Sequence, residues 1–119
     1  MSKAQTIFSE LCVASAIFDG AEVEDIENVD EATAAIYRKE LHSRQSKVSG
    51  KISINALVAS GKAIRKYLLG NGVTPKQIVW TGKQNIGATV AVAKDIEVAN
   101  YRISVKENAN VFINGSRSE

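Results

Sequence analysis

The hydrophobic period of this 119-residue chain changes once, and that change limits what it can fold into. Up to about residue 70, apolar residues recur every three or four positions. Beyond Pro75 they alternate, or cluster in short Val- and Ile-rich runs. Ile7, Phe8, Leu11, Cys12, Ala14, Ser15 and Phe18 share one helical face over residues 3–18, and Asp19-Gly20 stops that helix. The acidic run 21–29 reads as a linker. Asp30 is placed to cap a second helix reaching about His42, with Ile36, Tyr37 and Leu41 on its apolar side. Ile54, Leu57, Val58, Gly61, Ile64, Tyr67 and Leu68 give the best periodicity, in a helix with Ser53 at its cap and Gly70-Asn71-Gly72 at its end. Strand patterns then follow at 77–81, 88–98, 101–106 and 111–115. Helices first and strands in succession predict an α+β fold, with N-terminal helices followed by a small mixed or antiparallel β-sheet.

The length suits one domain. Three parts are expected within it: an acidic helical region over 1–43, a basic linker over 44–53, and a helix-plus-sheet core over 54–119. No run approaches the roughly 20 apolar residues of a membrane span, and the N-terminus lacks the apolar block of a signal peptide. One cysteine, Cys12, excludes an internal disulfide, and with His42 the single histidine a Ser-His-Asp or Cys-His nucleophilic scheme has no alternative base to draw on. Cys12 lies on an apolar stripe, which marks it as core. The expected setting is cytoplasmic, with no membrane partner.

The net charge of +2 conceals a strong separation. Residues 1–37 carry one base, Lys3, against eight acids. Residues 41–94 carry nine bases and no acid, among them Arg44, Lys47, Lys51, Lys62, Arg65, Lys66 and Lys83. Solvated surfaces normally mix signs, so a one-sign block predicts contact with a polyanion, DNA or RNA. Two other readings stand beside it: the acidic third folds back over the basic block, or it meets the basic block of a second copy in a homodimer. The Ser-rich stretch 42–53 fits either a linker or a phosphate-contacting loop.

The segment "DIEVANYRISVK", residues 95–106, can be worked through as a hairpin. With Ala99-Asn100 as the turn, Val98 opposes Tyr101, Glu97 opposes Arg102, Ile96 opposes Ile103 and Asp95 opposes Ser104. One face then carries Ile96, Val98, Tyr101, Ile103 and Val105. The other carries Asp95, Glu97, Arg102, Ser104 and Lys106. That second face is either an ordinary solvated surface or a place where a carboxylate, a hydroxyl and an amine converge. A carboxylate there can hold a hard cation such as Mg²⁺, and a lysine can serve a water or a phosphate oxygen.

A strand ending in "IVWTG", then "DI" on a second strand and "YRISVK" on a third, resembles the PD-(D/E)xK superfamily of restriction-endonuclease-like nucleases. The resemblance covers about residues 54–113. It implies a restriction-endonuclease-like core, incomplete at the C-terminus, and Mg²⁺-dependent hydrolysis of DNA phosphodiesters. It also implies a metal-binding role for Asp95, a catalytic role for Lys106, and a place for Ser104 where the family carries a second acid. Glu97 is then the candidate to complete the metal site, and Glu40 an upstream candidate. The alternative is a nucleic-acid-binding or structural module that keeps the fold without the chemistry.

Overall fold

The computed structural model describes residues 3–19, 22–80, 96–99, 101–105 and 111–115. Three helices, α1 (Lys3–Ile17), α2 (Glu31–Gln45) and α3 (Val48–Gly70), precede four strands. These are β1 (Ile78–Trp80), β2 (Ile96–Val98), β3 (Tyr101–Val105) and β4 (Val111–Gly115), in sheet order β1-β2-β3-β4 with every pairing antiparallel. The fold is therefore α+β, as the change of period predicts.

Between Ile7 and Ala14 the first helix has almost no side open to water. Ile7, Phe8, Leu11, Cys12, Val13 and Ala14 are buried, and so are Ser9 and Glu10. The sequence predicts a one-sided apolar stripe; burial all round arises because α2 and α3 cover one flank of α1 while β1 and β3 cover another. The core is one cluster running from α1 through Leu57, Ile64 and Leu68 to Ile78, Trp80, Ile96, Val98, Ile103 and Val105. Helix α1 ends with Asp19 at φ +66°, its N–H donating to the Ala16 carbonyl, while Arg65 of α3 donates to the carbonyl of Ile17.

Two stretches read as linkers are structured. Residues 22–28 are docked: Val23 and Ile26 are buried around a single 3₁₀ turn, Val23–Asp25. The Glu27 N–H then donates to the Ile78 carbonyl, and the Trp80 N–H donates to the Glu27 carbonyl, closing the outer edge of β1. The 44–53 stretch, expected as a basic linker, is helical except at Ser46 and Lys47. Ser53 is not a cap; α3 begins five residues earlier, and the Ser53 hydroxyl accepts a 2.8 Å hydrogen bond from Arg44. Gly50 explains how the helix starts there. A Cβ at position 50 would lie 2.1 Å from the Arg44 carbonyl oxygen, so only glycine lets α3 turn back this closely on the end of α2.

The local signals at Asp30 and Gly72 are realised. The Asp30 carboxylate accepts from the Thr33 N–H at 2.8 Å, an N-cap of α2. Gly72 sits at φ +78°; its N–H donates to Leu69 and that of Val73 to Leu68, which together close α3 with the two-bond motif of a left-handed helix stop.

At Gly61 helices α1 and α3 approach closely. A Cβ there would meet the Ala16 Cβ at 2.4 Å and the Val13 carbonyl oxygen at 2.6 Å. Gly61→Ala is expected to lower stability by about 1–3 kcal/mol in urea unfolding, despite the better helix propensity of alanine. Gly70, which has no neighbour within 4 Å, is the matched control. Gly70→Ala is expected to leave the urea midpoint unchanged or raise it slightly.

Candidate functional site

The β2–β3 hairpin forms in the register worked out from its sequence: Val98 opposes Tyr101, Glu97 opposes Arg102 and Ile96 opposes Ile103. Ala99 stands at φ +54°, the positive value that the first central position of a two-residue turn requires. The apolar alternation selects this pairing, since a shift of one residue would turn Ile96, Val98 and Ile103 out of the core. Ile96, Val98 and Ile103 are buried on the helix side, while Glu97 and Arg102 lie on the outer face.

That outer face carries a cross-sheet row. Glu27 bridges to Val79, Val79 opposes Glu97, Glu97 opposes Arg102, and Arg102 opposes Asn114. Glu97 is half-buried and lines a cleft of about 290 Å³ with Thr74, Lys76, Gln77 and Val79. Gln77 also donates a hydrogen bond to the Glu27 carboxylate. The next outer position on β3 is Ser104, opposite Phe112, and it is only 1% exposed. Asp95, Lys106 and Lys83 lie outside the described residues. Among the described residues no group of three acids, histidines or cysteines is placed to hold a metal ion. Glu40, the upstream candidate, is instead paired with Arg44 at 3.0 Å on α2.

The basic block divides into two kinds of residue. Arg44 is woven into the fold: it donates to Glu40 and Ser53, and its guanidinium lies 4.3 Å from the centre of the Phe8 ring. Arg65 holds the end of α1. Lys47, Lys51, Lys62 and Lys66 are exposed. Two ion pairs are formed locally, Glu24 with Arg38 and Glu40 with Arg44. His42 is exposed in the last turn of α2.

Two further groups stand out. Glu10, 5% exposed on α1, accepts a 2.7 Å hydrogen bond from the indole N–H of Trp80, itself 3% exposed. The signal for Glu10 in the sequence is its place inside the apolar run "FSELCVASAIF", where an acid demands a buried partner. Cys12 is buried, and burial pushes its thiol up to about 11 against an opposing pull from Arg44. Burial, aided by Cys12 and Glu22, raises the Tyr37 phenol to about 12.

No family model matches the chain, and neither curated proteins nor solved structures yield a match to it. Among the described residues no helix is long and apolar enough to cross a membrane.

Trp80→Phe removes the donor from the Glu10 carboxyl and leaves a small void. It is expected to cost about 2–4 kcal/mol by circular dichroism melts, with Glu10→Leu/Trp80→Phe costing less than the sum of its parts. The raised Cys12 and Tyr37 groups hold their protons in the folded state while the unfolded chain releases them from the ordinary 9.0 and 10.0. Stability is thus complete below pH about 9 and falls as pH rises towards 11–12. Urea midpoints from pH 7 to 11 should show that decline, and Cys12→Ala should flatten its lower part.

Proposed function

We propose that this chain is a restriction-endonuclease-like protein acting in the cytoplasm, which binds DNA through Lys47 and the lysines of α3 and hydrolyses phosphodiester bonds with Mg²⁺. The observation that supports it is the β2–β3 register, which is the pairing that a shared outer face for Asp95, Ser104 and Lys106 requires. In this reading Asp95 and Glu97 hold the cation, which supplies a polarised phosphate and an activated water. Lys106 orients that water and offsets charge on the phosphate. Lys47, Lys51, Lys62 and Lys66 hold the backbone by charge, without reading sequence.

The burial of Ser104 favours a second reading, a nucleic-acid-binding module with no catalysis. A hydroxyl 1% exposed is a poor ligand for an arriving cation and phosphate.

Supercoiled plasmid incubated with Mg²⁺ should be nicked, and EDTA, Asp95→Ala or Lys106→Ala should reduce the rate at least 100-fold. Duplex binding measured by anisotropy should weaken with salt, at a log–log slope of about −3 to −4 if four lysines neutralise phosphates. Binding with that slope but no nicking selects the non-catalytic module. No binding at low salt sinks both readings.

A further inference from the structure

Helix α3 presents more than lysines to its surroundings. Its most exposed large apolar residues are Val48 and Ile52, at 76% and 64%, and both lie in the segment richest in serine and lysine. At 3.6 residues per turn, Val48, Ile52, Ala56, Ala59 and Ala63 fall within an arc of about 80°, over a length of about 22 Å. All five are exposed. Lys51, Lys62 and Lys66 run along one border of this stripe, and Ser49, Ser53 and Ser60 along the other. An apolar strip of this shape can pack against the side chains of a second helix: two large residues at one end and three alanines beyond, where a bulky partner can approach closely.

We propose that this stripe docks an amphipathic helix of another protein, one whose apolar face carries large residues and whose flank is acidic. Charge selects the acidic flank. Residues 41–94 contain no acid, so nothing on this stretch of chain neutralises the three bordering lysines, and a covering helix must bring the counter-charge with it. The same charges disfavour a second copy. Antiparallel pairing of α3 with itself sets lysine border against lysine border, and parallel pairing sets lysines against serines. Parallel pairing also stacks alanine on alanine over most of the stripe; antiparallel pairing seats Val48 and Ile52 opposite Ala63 and Ala59, and there the facing lysines are what oppose it. A phosphate backbone satisfies the lysines but leaves Val48 and Ile52 in water, so the inference stands apart from the nucleic-acid reading.

The test uses the full chain and two fluorescein-labelled helical peptides of about 20 residues. Both carry leucines on one stripe, flanked by glutamates in one and by lysines in the other. Anisotropy should show the glutamate peptide binding at least tenfold more tightly than the lysine peptide. Ile52→Asp, at an exposed position and with an unchanged melting curve, should weaken it at least tenfold. Lys62→Glu/Lys66→Glu should reverse the order of the two peptides. The proposal is overturned if both peptides bind alike, if neither binds the folded protein, or if Ile52→Asp leaves binding unaltered. A dimer in light scattering that Ile52→Asp dissolves would assign the stripe to a second copy and also overturn it.

Discussion

A helix buried on nearly every side must satisfy every polar atom it carries from within the protein. Helix α1 is in that position between Ile7 and Ala14, and the arrangement of the other elements answers it. Ser9 folds its hydroxyl back onto the Gln5 carbonyl one turn earlier. Glu10 cannot do this, and its carboxyl takes the indole N–H of Trp80 from across the helix–sheet interface. That hydrogen bond ties the central helix to β1. Elsewhere α3 closes on α1 at Gly61, Arg65 of α3 donates to the Ile17 carbonyl, and Arg44 braces α2 against Phe8 and the start of α3. Buried polar groups are most useful where they are fully satisfied, because the alternative packings then leave them unpaired.

Short-range chemistry was legible in the sequence. The Asp30 cap and the stop at Gly72 each follow from a few neighbouring residues. The hairpin register was legible too, because Ile96, Val98, Ile103 and Val105 can share the core in one pairing only. What escaped depends on groups distant in sequence. The run 21–29 looks like a linker until the Glu27 backbone is seen hydrogen-bonded to Ile78 and Trp80, some fifty residues away. The Ser- and Gly-rich stretch before Ser53 resembles a loop by composition, yet Gly50 is there for close approach and not for freedom. The role of Arg44 was hidden for the same reason: sequence shows its charge but not the ring and hydroxyl that hold it. On the candidate site, spacing located the outer face and its Glu97–Arg102 pair, but could not show that Ser104 is enclosed.

The separation of charge along the chain survives folding in a particular form. The arginines of the basic block are drawn inward, where a planar guanidinium can serve several partners at once, as Arg44 does with Glu40, Ser53 and Phe8. The α3 lysines stay outside. Fold and surface therefore draw on different cations, and the exposed charge of α3 can be altered without dismantling the joint between α2 and α3.

The hydrogen bonds of Glu27 carry one more implication. Beta-sheets grow by adding strands at an edge, and an edge whose N–H and C=O groups point outward is an invitation to do so. At β1 the outward carbonyl of Ile78 and the outward N–H of Trp80 are both taken by Glu27. That side is stoppered by the protein's own backbone, at the cost of a single residue. Enlargement of this sheet past β1, by evolution or by aggregation, is thereby blocked.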